Sequence, residues 1–403
     1  MTDQKMFTAG NNDTDTHSDC LVAFSPKTEG GIRIDMKSKV EALYGDSIKA
    51  LCLKVLDFFG IKNAELSIDD SGALDFIIAA RIEAAIKQAI STDKEFILDT
   101  IPENKYQTQK DRFRFSRLYL PGNTPKMMLN AGVHKPNAII LDLEDSVAPA
   151  KKFEAKLLVR NALGSVNFYG AERMVRINQL PLGLDDIPYI ARHYVNLILI
   201  PKCENADQIL QVENEIDNQR KKHGFTYPIY LMPIIESALG VENAYQIAQA
   251  SGNIVALAIG LEDLTADLGV RRTKEGKETF FARTRIINAC KAVGIQPIDS
   301  VFSDVGDEEG LRLNVLEGKA LGFEGIGCIH PRQIAPIHQS YAPDTSEIEK
   351  ALKIVNAFNE AKEKGLGVIS IGTKMIDLPV VKRAEKTIKL ASELGLLNAV
   401  SGA

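Results

Sequence analysis

The sequence predicts an α/β chain built as a (β/α)8 TIM barrel with a C-terminal helical extension, preceded by a small α+β domain. Three observations carry this. After about residue 112, eight apolar, strand-like runs alternate with helical stretches. Polar and charged residues recur at the ends of those runs, where a barrel would make them converge and a doubly wound sheet would not. The first ninety or so residues follow another rhythm, β-β-α-β-α.

Taken in order, residues 1–19 are polar, and CLVAFSP and GIRIDM then read as short strands separated by a Gly-rich turn. The stretch SKVEALYGDSIKALCLKVLDFFG has helical spacing and stops at Gly60. AELSID reads as a strand, DSG as a turn and ALDFIIAARIEAAIKQAI as a second amphipathic helix. Residues 91–111 are polar and aperiodic and read as a linker. The barrel runs are RLYLPG, AIILDLED, RMVRIN, LILIPK, IYLMPIIES, IVALAIG, IDSVFS and GIGCIHP. Two further helices, joined by LGVISIGTKMID, exceed what an eight-fold barrel needs. The expected domains are 1–90, a linker at 91–111, a barrel at 112–345 and an extension at 346–403.

Bulk properties exclude several classes. The 403 residues carry a net charge of −5 with no basic stretch suited to nucleic acid or an anionic membrane. Five cysteines, at 20, 52, 203, 290 and 328, show no CxxC spacing, which points to reduced thiols in a cytoplasmic protein. No apolar stretch reaches the ~18 residues of a membrane span, and the amino terminus lacks the pattern of a signal peptide.

The strand ends supply Asp142, Glu144, Asp145, Arg176, Lys202, Glu236, Glu262, Asp263 and His330. Glu236 and Asp263 end neighbouring strands, and two carboxylates so placed suit a hard cation such as Mg2+, whose other positions go to water and substrate oxygens. Taken singly, each acid reads first as a helix cap or salt-bridge partner; it is the pair at adjacent strand ends that favours the metal. Arg176 suits a bidentate clamp on a carboxylate, or a structural pair with the LDLED acids, or both. Lys202 reads as a Schiff-base lysine or as a salt-bridge partner. His330 reads as an orienting histidine rather than a base.

With those residues in place, the chain from about 112 to 398 resembles the citrate lyase beta subunit and its malyl-CoA and citramalyl-CoA lyase relatives. The resemblance rests on RLYLPGN, IILDLEDSVAPAKK, VRIN, LIPK, PIIESALG, GLEDLTADLG, RTKEG, IDSVFSD, IHPRQI and GTKMID. It implies Glu236 and Asp263 as magnesium ligands, Arg176 as the oxo-acid binder, and Asp142, Glu144 and Asp145 as an acidic ring behind them. It also implies Asp377 as an acid/base group that reaches a neighbouring subunit's site, hence a homo-oligomer, trimer or hexamer. Phe115 stands where the family usually has a second arginine, leaving Arg114 and Lys126 as candidates for the thioester tail. Residues 7–90 resemble the acyl carrier (gamma) subunit of citrate lyase, through TAG, SDCLVAF, GDSIKALCLKVL and IDDSGALDFIIAARIEAA. That family carries a phosphoribosyl dephospho-CoA prosthetic group on a serine. Here His17 aligns with that serine, and Ser18 is the nearest candidate.

The resemblance implies a Mg2+-dependent carbon–carbon lyase that cleaves a citryl thioester, on CoA or on a carrier, to oxaloacetate and acetyl thioester. A citrate lyase alpha (CoA-transferase) subunit would be its partner. Two alternatives stand beside it: a citramalyl- or malyl-CoA lyase using free CoA thioesters, and a non-catalytic carrier or scaffold subunit.

Overall fold

A computed structural model describes residues 5–13, 15–363, 369–371 and 374–397. The amino-terminal domain contains strands β1 (Phe7–Gly10), β2 (Cys20–Pro26), β3 (Ile32–Ser38) and β4 (Ala64–Asp70), with helices α1 (Glu41–Phe58) and α2 (Asp75–Ala89). β1 lies in the segment whose composition reads as merely polar; it pairs antiparallel with β2. The Gly-rich turn between β2 and β3 does not make a hairpin. The strand order is β1-β2-β4-β3, with β3 and β4 parallel. Parallel neighbours need a long crossover, which α1 supplies.

Eight parallel strands follow: β5 (Ser116–Pro121), β6 (Ala138–Asp142), β7 (Glu172–Arg176), β8 (Leu197–Ile200), β9 (Tyr230–Ile235), β10 (Ala256–Ile259), β11 (Gln296–Ile298) and β12 (Ile326–Cys328). They run in the order β11-β10-β9-β8-β7-β6-β5-β12, and a bridge between Asp299 and Ile326 closes the ring. The expected run IDSVFS contributes less strand than anticipated, because β11 ends at Ile298 and Asp299 continues it as an isolated bridge. Inside the ring, Ile140, Met174, Leu199, Met232, Ile234 and Ala258 pack together. Since side chains alternate across a strand, Asp142, Arg176 and Glu236 continue this inner face one layer higher.

Residues 91–111 are not a free linker. Apart from one short 3-10 turn they are irregular, but they lie as a strap on the barrel helix α3 (Lys152–Ser165) and the amino ends of the strands. Phe96 is buried, the Asn104 amide donates to the carbonyls of Leu163 and Val166 (2.9 and 2.7 Å), and the Arg173 guanidinium covers the Tyr106 ring at 4.3 Å. These polar residues serve as hydrogen-bond partners for buried backbone, so their composition disguises their order.

The chain divides into two compact units. One contains residues 1–307 and 318–334; the other contains 308–317 and 335–403, so the carboxy-terminal unit begins earlier than the sequence suggests. In it, α7 (Thr345–Glu363) and α8 (Leu378–Glu393) pack through Ala351, Ile354, Val381 and Ala384, and two short strands (Ile369–Ile371, Lys374–Ile376) pair between them. Gly372 and Thr373 of the GTKMID motif lie outside the described residues. Among the described residues, no helix is long and apolar enough to cross a membrane.

The amino-terminal domain and the barrel share buried charges. Arg160 of α3 donates to Glu83 of α2 at 2.7 and 3.0 Å, and both side chains are fully buried. Replacing Glu83 with Ala strands a buried guanidinium, at an expected cost of about 3–5 kcal/mol. Lys37→Ala, which removes an exposed pair with Asp69, is expected to cost less than about 0.5 kcal/mol. Urea unfolding of the two variants checks the contrast; a Glu83→Ala loss below about 1 kcal/mol would show that the interface tolerates the orphaned charge.

Candidate active site

Strand register brings the sequence-selected groups together. Asp142 and Arg176 are direct cross-strand partners at the carboxy-terminal ends of β6 and β7. The guanidinium donates through Nε and Nη2 to the two carboxylate oxygens of Asp142, at 2.6 and 2.8 Å. Its Nη1 lies 2.8 Å from Glu144 Oε2 and 3.8 Å from Asp145. The Glu144 contact has ion-pair distance without hydrogen-bond alignment, so that buried oxygen has no hydrogen-bond donor. The Asp142 carboxylate also accepts from the backbone N–H of Glu144 and Ser146, which fixes the acidic loop. Burial alone would raise the Asp142 carboxyl; the hydrogen bonds from Arg176 outweigh it and hold the group below its ordinary value.

Glu236 follows β9 and is 6% exposed. Its Oε2 accepts from the Lys202 backbone N–H at 2.9 Å, while Oε1 lies over Gly260. A Cβ at Gly260 would approach that oxygen to 2.5 Å, so the glycine leaves room for the carboxylate. Burial pushes the Glu236 carboxyl up to about 7. Burial does the same to Glu144, also to about 7, with Asp145 and Glu236 adding repulsion against the pull of Arg176. Asp263 lies in the first turn of α5 (Leu261–Asp267) with its side chain 44% exposed. The first N–H of that helix donates to the Ser300 hydroxyl at 3.1 Å.

Lys202 stands among these acids. Its Nζ is 3.6 Å from Asp263 and 3.8 Å from Glu144, on a backbone with φ of +47°. Burial would lower its pKa, but Asp145, Glu144, Asp263 and Glu236 together raise it. A protonated ammonium is a poor Schiff-base nucleophile, so the geometry favours the ion-pair reading. The ammonium also marks where positive charge is wanted. Five carboxylates face two cations here, and a divalent cation between Glu236 and Asp263 fits that excess, the oxygen donor set and the space over Gly260. Among the described residues no three His, Cys, Asp or Glu side chains are grouped so as to hold a metal ion by themselves.

Other expected residues fall elsewhere. Arg114 is buried at the amino-terminal end of the barrel, donating to Glu172 at 2.8 and 2.9 Å and to Gln296 at 2.7 Å. Glu172 and Gln296 open β7 and β11, so Arg114 closes the floor and is removed from the candidates for the thioester tail. Lys126 is exposed on the short helix after β5. Glu262 turns outward to Arg272 at 2.7 Å. His330 Nδ1 accepts from the Arg332 N–H and caps the turn after β12, in keeping with an orienting histidine. Asp377 lies in the carboxy-terminal unit and caps α8, accepting from the Val380 N–H at 3.3 Å. Ser18 is half-buried with φ of +56°, and its N–H donates to Ser71 O.

The residue pattern alone gives no role to Gly260, Ser300 or Tyr119. Tyr119 points into the barrel lumen, its ring 5.3 Å from the Arg176 guanidinium. Its place in the alternation of β5 was the available signal. Gly260 and Ser300 act through close approach and a helix N–H, which no residue pattern announces.

Strand-end carboxylates beside a carboxylate-clamped arginine, on an eight-stranded barrel, are an arrangement suited to barrel enzymes that work with a divalent cation on oxygen-rich substrates. The profile of the HpcH/HpaI aldolase/citrate lyase family matches residues 116–331, and the chain belongs to that family. A second profile, that of the malonate decarboxylase delta subunit (MdcD), matches residues 10–89. The chain is 39% identical over 287 residues to the citrate lyase subunit beta of Leuconostoc mesenteroides subsp. cremoris, covering 70% of this chain and 94% of the relative. It is 31% identical to the mitochondrial citramalyl-CoA lyase of Homo sapiens, covering 69% of this chain and 85% of the relative. Among solved structures, the CitE protein of Mycobacterium tuberculosis in complex with magnesium, acetoacetate and coenzyme A superposes with a TM-score of 0.58. The two are 26% identical, and the match covers 70% of this chain and 100% of that one.

The raised Glu236 carboxyl has a consequence for stability. Its folded value of about 7 exceeds the ordinary 4.5, so its contribution is present below about pH 4.5 and lost as pH rises through 7. Metal-free protein is expected to melt progressively lower between about pH 5 and pH 8, less steeply in Glu236→Gln. Added Mg2+ is expected to raise the melting temperature near pH 8 and to have little effect near pH 5. Melting curves in chelator and in Mg2+ check this; a pH-independent gain from Mg2+ would contradict a proton-linked site.

Proposed function

We propose that the chain is a magnesium-dependent carbon–carbon lyase that cleaves a citryl thioester, on CoA or on a carrier, to oxaloacetate and acetyl thioester. The observation that carries this is the Glu236–Asp263 carboxylate pair beside Arg176, whose guanidinium is oriented by Asp142 and Glu144. The names of the relatives support it: citrate lyase beta subunits and citramalyl-CoA lyase by sequence, and a solved structure described with magnesium, acetoacetate and coenzyme A.

In this reading Glu236 and Asp263 hold the metal, with Asp142, Glu144 and Asp145 behind them. When bound, magnesium supplies a Lewis acid that lowers the pKa of the substrate's hydroxyl and stabilises charge on the oxo oxygen of the product. Arg176 binds the carboxylate beside that hydroxyl, and its fixed geometry leaves the scissile bond to break without reorganisation of the guanidinium. Asp377, as its carboxylate, takes the hydroxyl proton; the C–C bond breaks as its electron pair moves into a thioester enolate, which is more accessible than a carboxylate's. Asp377 then protonates the enolate carbon. We read Asp377 as acting in trans within a homo-oligomer, trimer or hexamer, and Lys126 as a contact for the thioester tail.

The fused amino-terminal domain favours a carrier-bound citryl group, a phosphoribosyl dephospho-CoA arm on Ser18 and an alpha, CoA-transferase, partner in the cytoplasm. His17 at the aligned serine position favours the second reading, a citramalyl- or malyl-CoA lyase using free CoA thioesters. Intact mass of protein from the native host separates them. Product assays with citryl-, citramalyl- and malyl-CoA then identify the substrate, and no cleavage of any of them with Mg2+ would favour the scaffold reading.

Two outcomes are expected of the active protein. EDTA abolishes cleavage and Mg2+ restores it, Glu236→Gln lowers kcat by about 10³-fold or more, and borohydride with oxaloacetate leaves Lys202 unmodified. Asp377→Asn lowers kcat by roughly 10²-fold with KM little changed. Co-assembled Asp377→Asn and Glu236→Gln chains regain part of the activity if Asp377 serves a neighbour, and regain none if each chain uses its own.

A further inference from the structure

We infer that the amino-terminal domain is a fixed wall of the barrel's mouth, and that its β1–β2 loop is a stationary delivery point for the acyl thioester rather than part of a swinging carrier. Only the identity of the delivered group rests on the lyase reading above.

Burial holds the domain against the barrel. Every residue of α2 from Phe76 to Ile86 is buried, and so is every residue of α3 from Glu154 to Gly164. A helix on the surface of a small domain buries one stripe; burial all round requires a second body against the other face. For α2 that body is α3 of the barrel, and the Asn161 amide donates across the contact to Phe76 O at 2.9 Å. Swinging the domain away would expose both faces to water. The buried Arg160–Glu83 pair fixes the register of the two helices without supplying the driving force.

The β1–β2 loop is tied to the barrel at both ends. At one end, the Gly10 N–H donates to Glu154 Oε2 and the Gly10 carbonyl accepts from Lys151 Nζ, both at 3.0 Å. At the other end, Arg81 is bidentate to Asp19, at 3.0 and 2.9 Å, and its Nη1 donates to Asn123 Oδ1 at 2.7 Å. Asn123 follows β5, while Lys151 and Glu154 follow β6, so all three anchors lie on the carboxy-terminal side of the strands. That is the side of the catalytic groups. The neighbour of Asn123, Gly122, donates its N–H to Asp142 O at 2.8 Å, and the Asp142 carboxylate holds Arg176. Ser18 is adjacent to the anchored Asp19, and exposed His17 is one residue further on. A thioester presented from this loop therefore starts at the rim of its own barrel, and its arm has only to fold inward.

Two spin-label distances test this in the full-length chain. All five native cysteines are buried, so introduced surface cysteines label selectively. Asp35→Cys with Lys222→Cys reports on the body of the domain, and His17→Cys with Lys222→Cys on the loop; all three positions are exposed. In assemblies diluted with unlabelled chain, both pairs are expected to give one narrow distance distribution, unchanged by acetyl-CoA. A broad or two-peaked Asp35 distribution overturns the fixed wall, and a narrow Asp35 with a broad His17 distribution overturns the fixed delivery point. Adding Arg81→Met is expected to broaden the His17 distribution at least twofold and leave the Asp35 pair narrow; an unchanged His17 distribution overturns the anchor. Should Arg81→Met not fold, the two parent distributions decide alone. The distances are read without turnover, so an inactive enzyme with narrow distributions would sink the lyase reading and leave this one standing.

Discussion

The bidentate pair between Arg176 and Asp142 is the constraint on which the site depends. Five carboxylates meet at one end of a barrel whose lower layers are mainly apolar, with the buried Arg117 against Met232. Without a fixed guanidinium among them, mutual repulsion and burial would protonate several acids or splay the loop apart. Arg176 holds Asp142 ionised, and Asp142 in turn orients the backbone of Glu144 and Ser146. What Arg176 leaves uncompensated appears one layer across, where burial raises Glu144 and Glu236 to about 7. Lys202 meets part of that excess. The remainder is the electrostatic basis of the divalent cation proposed between Glu236 and Asp263.

Much of this was legible in the sequence because barrel strands impose two simple rules. Continuous apolar runs mark strands covered on both faces, and alternation places every second residue inward. Met174 and Arg176, or Ile234 and Glu236, are thus read as core and then site without any structure. The same rules failed where contacts replace patterns. Arg114 sits two residues before its strand and reads like a mouth residue, yet it closes the floor against Glu172. The segment 91–111 reads as a linker because hydrogen-bonding side chains do the packing that apolar ones do elsewhere. β1 is four residues long, too short for alternation to be detected. Asp377 offers only a helix N-cap to inspection, and its proposed catalytic part comes from resemblance alone.

The attachment of the amino-terminal domain bears on how a thioester lyase gains efficiency. A carrier on a flexible tether delivers its cargo at an effective concentration limited by the volume the tether explores. A carrier-like domain locked against the barrel by two all-round buried helices explores almost none. The entropy of bringing cargo and site together is then paid once, during folding, rather than at each turnover.

Such an arrangement also changes what its loop must do. A mobile carrier needs an attachment loop recognisable by several partners, whereas a docked one needs a loop held at one rim. Here Asp19 spends both carboxylate oxygens on Arg81, Arg81 spends its remaining donors on the barrel, and Gly10 bonds the barrel through both backbone groups. The departure of His17 from the expected serine, and the positive φ at Ser18 beside it, fall between the two anchors. A free CoA thioester would need only the wall, while a covalent arm would need a nucleophile within that stretch. The fixed wall is compatible with both chemistries, and the choice between them narrows to the few residues from Asn11 to Ser18.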